Sequence, residues 1–319
     1  MYFPYLRGRQ YELIALRELL ANNKLGNNVI PIIEPVKLSP TLVSTLEAFE
    51  TKKQPCALIM NPAVGSFNEE YSKNEKNRAN RLDEVIEQSE HLYYASLMSR
   101  GYQKDDNFKQ NDDMSRQIII CKDPDDLNGY EGNYSTELIA YNLIGEDSKL
   151  NREVSGSKVK ISDRFKKAPR NVDYAKKTDE FFSKDHKYFL KEGYKGFSDY
   201  SIVGESYSDS GFAPTAIAIH IVYFNEKQDL RIHHFVSDTN ENLRNQAGKF
   251  EEALEKLLNA IEEGKISQTM AIKEFQRLSD TKTYPGLGTI KKLTMMHHIE
   301  LVGKYLDQIN GCLLYTSPS

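Results

Sequence analysis

The chain has 319 residues, of which 39% are hydrophobic and 28% are charged, and its formal net charge is -4 at pH 7. This balance is ordinary for a globular protein, and it gives no general electrostatic attraction to nucleic acid or to anionic membranes. No apolar run approaches the roughly 20 residues that a membrane helix needs, so neither a membrane span nor a membrane partner is expected.

Short apolar segments alternate with helical patterns along the first two thirds of the chain. They predict eight strands, at residues 3–6, 29–36, 56–62, 92–98, 117–124, 137–145, 158–162 and 196–204. Leucines at helical spacing predict a helix over 10–21, Ser39-Pro40 marks the start of another, and the segment 179–193 also has a helical pattern. Eight strand–helix units favour an α/β fold of the (β/α)8 TIM-barrel type, with an open doubly wound sheet as the alternative.

The last third of the chain has a different pattern. Residues 216–224 and 230–236, joined by NEKQD, predict an inserted antiparallel hairpin. Helical periodicity then predicts a cap over about 249–309 that stops at Asn310-Gly311. Without a Pro-, Gly- or Ser-rich linker, the simplest organisation is one barrel-like domain over residues 1–311.

The two ends of the chain bear on its origin and location. The N-terminus lacks the apolar region of a signal peptide, and three scattered cysteines provide no disulfide framework. We therefore expect a cytoplasmic protein. The final CLLYTSPS has no periodicity and resembles translated sequencing adapter, so residues 312–319 are expected to be a non-native tail.

Polar side chains follow almost every predicted strand. Ligands bind at the carboxyl ends of strands in parallel α/β folds. A barrel would therefore collect carboxylate, amide and cationic groups at one mouth, namely Arg7, Glu34, Asn61, Lys122, Asn142, Asp163, Arg164 and Asp199. Such groups suit an anionic or phosphorylated ligand, with a divalent cation as a candidate cofactor. The alternative is that strands simply end where polar loops begin, which is the more frequent case for any single residue.

The hairpin contains two histidines of interest. If NEKQD is its loop, Phe224 lies opposite Leu230 and His220 lies opposite His234. Two imidazoles on one face could transfer protons or bind a metal or phosphate. The alternative is a partly buried ring pair without a chemical role, and a shift of one residue in register would separate the two rings.

Longer blocks of the sequence resemble one known family. YFPYLRGRQYELIALREL (2–19) and IPIIEPV (30–36) match its opening pattern, and SDRFKKAPRNVDY, YKGFSDYSIVG, AIHIVYF and IHHFVSD match its later part. On these residues the chain resembles the Beta protein family of phage satellites and bacterial mobile regions. The resemblance covers most of residues 1–305. It implies a role in phage defence or in a mobile element, and it implies no particular catalytic residues.

Two functions are expected from these patterns. The first is a component of such a locus that binds a phosphate-containing ligand or nucleic acid, with metal-assisted phosphodiester hydrolysis as the reaction if the chain is catalytic. In that case Glu34 and Asp199 would hold a metal or act as base, and His220 or His234 would transfer protons. Arg7 would hold the anion. The alternative is a non-catalytic sensor or adaptor that recognises a protein partner encoded nearby.

Overall fold

The computed structural model describes residues 1–73, 77–100, 102, 113–131, 138–208 and 214–315, with the side chains of 131 and 310–315 outside the description. The chain forms two compact units that interleave along the sequence. The first comprises Met1–Leu20, Asn27–Asp163 and Tyr188–Tyr200. The second comprises Ala21–Gly26, Arg164–Lys187 and Ser201–Ser319. The predicted single domain and the predicted non-native tail stay predictions.

Strands and helices alternate through most of the chain. The strands are β1 (Tyr2–Leu6), β2 (Ile32–Ile33), β3 (Cys56–Ile59), β4 (Leu92–Leu97), β5 (Gln117–Cys121), β6 (Tyr141–Ile144), β7 (Lys158–Ser162), β8 (Asp179–Ser183), β9 (Gly196–Asp199), β10 (Ala218–Phe224) and β11 (Leu230–Val236). The helices are α1 (Gln10–Ala21), α2 (Pro40–Thr51), α3 (Phe67–Lys73), α4 (Arg78–Gln88), α5 (Leu127–Glu131), α6 (Ser148–Glu153), α7 (Asp185–Tyr188), α8 (Gln246–Glu262), α9 (Met270–Asp280) and α10 (Leu287–Tyr315).

The first unit is a closed barrel of eight parallel strands in the order β1-β2-β3-β4-β5-β6-β7-β9, which confirms the predicted TIM-barrel-like fold. Alternate residues of every barrel strand point inward, because successive side chains of a strand face opposite sides. This interior core consists of Phe3, Tyr5, Ile30, Ile32, Ala57, Ile59, Ala95, Ile118, Ile120, Leu143, Val159, Ile161 and Tyr200. Strand pairing of β1 with both β2 and β9 closes the ring.

Local sequence explains where two early elements begin and end. β2 is only two residues long, although the apolar run covers 29–36. Pro31 and Pro35 flank it, and proline has no backbone N–H to donate to a strand ladder. The second helix begins as predicted, since the Ser39 hydroxyl accepts a hydrogen bond from the Leu42 N–H and Pro40 is its first residue.

The second unit is built on a three-stranded antiparallel sheet in the order β10-β11-β8. The hairpin of β10 and β11 has the predicted register, with Phe224 opposite Leu230 and His220 opposite His234. The prediction of a helix over 179–193 was wrong for its first part, which is β8. That strand is hard to recognise because its alternation is inverted: Phe181 is 45% exposed, whereas Glu180 is 8% exposed.

The C-terminal third is helical, in agreement with the sequence patterns. The prediction that the last helix stops at Asn310-Gly311 was wrong, since α10 continues to Tyr315. The leucines that follow Gly311 are strong helix formers, and Gly ends a helix only where it adopts a left-handed conformation. Within the described part of the chain, no helix combines the length and the apolar character needed to cross a membrane.

A glycine fixes the distance between two loops on the carboxyl-end face of the barrel. Gly65 has φ +80°, and a Cβ at this position would lie 2.2 Å from the Val36 carbonyl oxygen. We expect Gly65→Ala to lower the free energy of unfolding by about 3 kcal/mol, because a positive φ and a backbone clash act together. Urea unfolding followed by far-UV circular dichroism measures this loss.

Gly193 provides a matched control for the steric part of this effect. It has φ +84°, but an added Cβ would meet nothing within 4 Å. Gly193→Ala is therefore expected to cost only about 1 kcal/mol, which is the penalty of the left-handed backbone. Equal losses in the two variants would contradict the close approach of Gly65 to Val36.

Candidate functional site

The barrel mouth is formed by the residues that continue the inward-facing positions past the strand ends. Tyr5 of β1 lies beside Ile32 of β2. Two residues further along both strands, Arg7 and Glu34 are therefore neighbours on the inward-facing side. The structure thus brings together the two residues that the sequence placed first at the mouth.

Glu34 is a fully buried carboxylate just beyond the carboxyl end of β2. Its Oε2 accepts hydrogen bonds from the Tyr5 hydroxyl at 2.6 Å and from the Arg7 guanidinium. Its Oε1 accepts a hydrogen bond from the Ala63 backbone N–H at 2.9 Å. Both carboxylate oxygens are therefore engaged, as a buried charge requires.

Two neighbouring aromatic rings contact the Arg7 guanidinium. The Arg7 guanidinium carbon lies 5.3 Å from the centre of the Tyr5 ring and 5.7 Å from that of Tyr200. The two rings are themselves 4.8 Å apart. Burial would lower the pKa of Arg7, but the charge of Glu34 outweighs this effect and raises it. Burial, reinforced by the charge of Glu34, raises the pKa of Tyr5 well above its usual value. The cluster therefore holds the Arg7 cation against the Glu34 carboxylate.

The predicted partner of Glu34, Asp199, faces the other side of the barrel wall. It shares its face of β9 with Phe197, whose ring stacks on Tyr2 at 5.1 Å. The Tyr2 hydroxyl donates a hydrogen bond to Asp199 at 2.9 Å. The inward position is taken by the next residue, Tyr200. Glu34 and Asp199 are therefore not brought together.

The two predicted asparagines make contacts that stabilise the barrel wall. The Asn61 side chain accepts from the Leu97 N–H and donates to the Leu97 carbonyl, both at 2.8 Å. It thus continues the pairing of β3 with β4 beyond their ends. Asn142 lies on the outward face of β6, where it accepts from the Tyr130 hydroxyl at 2.6 Å and donates to the Ser155 carbonyl at 3.2 Å.

The remaining predicted ligand residues fall into two groups. Lys122 and Asp163 continue the inward-facing positions of β5 and β7, so they belong to the mouth face with Arg7. Arg164 lies in the second unit, where its guanidinium forms an ion pair with Asp185 at 2.7 Å.

His220 and His234 form the predicted pair inside the second unit. Their Nδ1 atoms are 2.8 Å apart, and each ring centre lies 4.6 Å from that of Tyr174. One Nδ1 must donate and the other accept, so the pair cannot be doubly protonated at that contact. Burial lowers the pKa of His220 to about 3, with His234 and Lys291 adding to the effect.

His234 also contacts a carboxylate. Its Nε2 lies 3.5 Å from the Glu180 carboxylate. Burial lowers the pKa of His234, although the charge of Glu180 opposes this shift. Among the residues that the structure describes, no group of three or more His, Cys, Asp or Glu side chains could hold a metal ion.

A second charged cluster was missed from the sequence because its centre lies on the unrecognised strand β8. Asp179 accepts hydrogen bonds from Tyr223 at 2.5 Å, Arg231 at 2.6 Å and Lys265 at 3.1 Å, and the His233 ring nitrogen lies at the same 3.1 Å. Burial would raise the pKa of Asp179, but these donors together hold it well below its usual value.

Two aromatic residues of the mouth were also missed. Tyr5 could have been found by counting alternate positions along β1 from Phe3, but no apolar side chain precedes Tyr200 on its face of β9. Comparison with known proteins adds nothing to these contacts: no protein-family model matches the chain, and no curated protein matches it.

Proposed function

We propose that this protein is a ligand-binding component of a phage-defence or mobile-element locus, of the Beta family that its sequence resembles. The carboxyl-end face of the barrel recognises a phosphate-containing ligand without hydrolysing it. The function is non-catalytic, like that of the expected sensor or adaptor, but its ligand is a phosphorylated small molecule and not a protein partner.

The occupied carboxylate of Glu34 is the observation that carries this proposal. A general base or a metal ligand needs an oxygen lone pair directed at the substrate or ion. Glu34 instead uses Oε2 for Tyr5 and Arg7, and Oε1 for the Ala63 N–H. Its contacts are those of a residue that orients Arg7 and the strand ends.

The position of Asp199 supports the same conclusion. In the metal-assisted hydrolysis expected from the sequence, Asp199 acts together with Glu34. Asp199 is 3% exposed on the outward face of β9, and it is bonded to Tyr2. Binding requires no such pair, since cationic side chains at the carboxyl ends of the strands are sufficient to hold an anion.

Assays of the purified chain test the absence of hydrolysis. With adenosine 5′-monophosphate or bis(p-nitrophenyl) phosphate in Mg²⁺ or Mn²⁺, we expect phosphate or nitrophenol release no faster than in buffer. Glu34→Gln should leave this background unchanged. Metal-dependent turnover that Glu34→Gln abolishes would refute the binding function and favour a phosphodiesterase.

Two substitutions at one position test the role of Glu34 in cells. Glutamine keeps one accepting oxygen for the Ala63 N–H, and its amide N–H can donate to the Tyr5 hydroxyl, whereas alanine leaves a cavity beside Arg7. In phage challenge of cells that carry the intact locus, Glu34→Gln should retain protection and Glu34→Ala should lose most of it. A catalytic carboxylate would be lost in both variants alike. Immunoblots at matched expression separate loss of function from loss of protein.

A further inference from the structure

A groove opens beside the loops that follow β2 and β3, on the same face of the barrel as the mouth. Its volume is about 480 Å³, within the range of small-molecule sites. Its polar lining includes Lys37, Ser39, Ser66, Glu70, Lys73 and Arg78. All of them belong to the first unit.

The groove has an excess of positive charge that its own carboxylates do not neutralise. Lys37, Lys73 and Arg78 face Glu69 and Glu70, so there are three cations and two anions. Lys73 pairs with Glu69 at 2.5 Å.

The second carboxylate of the groove is engaged by hydrogen bonds from loop atoms. Glu70 accepts from the Leu38 N–H at 3.0 Å and from the Ser66 hydroxyl at 2.5 Å. Across the described ranges of the chain, neither Lys37 nor Arg78 has an ion-pair partner. Two cations are thus left to line one cavity.

Arg78 is in an electrostatically unfavourable position. It is half-buried, and it is the first residue of α4, where the helix dipole disfavours a positive charge. The preceding Asn77 makes no side-chain capping bond. A bound anion would offset the charge of Arg78 at this helix N-terminus.

We infer that this groove binds the phosphate group of a small phosphorylated molecule such as a mononucleotide, with Lys37 and Arg78 contacting the phosphate and the Ser39 hydroxyl available as a donor. This inference rests on the proposed function and assigns its ligand-binding residues. The cavity volume suits a mononucleotide, and the net charge of -4 disfavours a long polyanion.

Calorimetric titration of the full chain at low ionic strength tests the inference. The probes are adenosine 5′-monophosphate, inorganic phosphate, adenosine, and a 12-nucleotide single-stranded DNA without a terminal phosphate. We expect the first two to bind and adenosine not to bind. Lys37→Gln and Arg78→Gln should each weaken binding of the mononucleotide about tenfold, the effect of one lost charge-assisted contact.

Lys52→Gln is the matched control, since Lys52 is exposed at the opposite end of α2. It should change the affinity by less than about twofold. If the parent chain binds the mononucleotide and both groove variants bind it equally well, the groove is not the binding site. The proposed function would still stand. If no phosphorylated probe binds the parent chain, both are overturned. Tighter binding of the DNA than of the mononucleotide would overturn the small-molecule ligand.

Discussion

Acidification from pH 8 to pH 5 is expected to remove about 2 kcal/mol of unfolding free energy for each of His297 and His298 in the second unit. Both side chains are fully buried. Burial lowers the pKa of His297 to about 4 and that of His298 to about 3. The unfolded chain therefore binds these protons first, so stability is complete above pH 6.5 and is lost as the pH falls.

Burial is the main reason why the neutral form of His297 is favoured, whereas its hydrogen bond to the Val222 carbonyl acts in the opposite direction. Its Nε2 donates to the Val222 carbonyl at 2.8 Å, and its Nδ1 lies 2.9 Å from the Thr269 hydroxyl, which can donate to it. His298 and Lys304 also lower the pKa of His297. Glu300 raises this pKa, but its effect is smaller than that of burial. A second proton would have to displace the hydroxyl donor.

Two carboxylates of the second unit, Asp179 and Asp229, do not contribute in this pH window. The pKa values of Asp179 and Asp229 lie below the usual 3.8, so both groups stay charged at pH 5. Hydrogen exchange of peptides around residues 290–305 measures the local unfolding free energy at each pH, and far-UV circular dichroism in urea gives the global value, since the chain has no tryptophan.

His298→Asn isolates one of the two contributions. Asparagine does not titrate, and it can still form a hydrogen bond with Ser201, which lies 3.0 Å from the His298 ring. The loss on acidification should shrink by about 2 kcal/mol in this variant. An undiminished loss in His298→Asn would show that His298 does not carry the effect.

Arg7→Met is expected to lower the free energy of unfolding of the first unit by about 3 to 5 kcal/mol, because it leaves the buried Glu34 charge without its ion-pair partner. Methionine keeps much of the contact with the Tyr5 and Tyr200 rings. Far-UV circular dichroism in urea at pH 7.5 measures the loss. Arg17→Met is the control, since Arg17 is exposed and contacts only the Ser44 hydroxyl at 3.3 Å among its described partners; it should cost less than about 0.5 kcal/mol.

The double variant distinguishes an unpaired charge from lost packing. Glu34→Gln removes the charge that Arg7→Met would leave unpaired. The two substitutions together should therefore lower the free energy of unfolding by less than the sum of their separate losses. Additive losses would mean that the Arg7–Glu34 pair contributes no coupling, and that the mouth is stabilised by ring packing alone.

The barrel was predictable because its strands are apolar runs bounded by polar loops. Such runs can be recognised in the sequence without knowledge of tertiary contacts. The hairpin register followed from loop length. β8 was not predictable, since Glu180 is buried beside His234 while Phe181 is exposed. Its pairing with β11 overrides the local pattern.

The mouth was predicted in part, for a reason that Asp199 makes clear. The last polar residue of each strand was expected at the mouth, whichever face of the strand it occupies. Arg7 and Glu34 lie two residues beyond Tyr5 and Ile32 and share their inward side, whereas Asp199 is one residue out of phase with Tyr200. The sequence could not predict that Lys37 and Arg78 lack an ion-pair partner among the described residues, because ion pairing depends on three-dimensional distances.

The pairing of β1 with β9 determines when the barrel can close during synthesis. Phe3 lies beside Ser198, so the first strand has no partner on one edge until almost 200 residues have been translated. At about 5 to 20 residues per second, that edge stays open for roughly 10 to 40 s on the ribosome. An unpaired strand edge can recruit other chains, so early barrel intermediates are the stage at which chaperones would matter most for this protein.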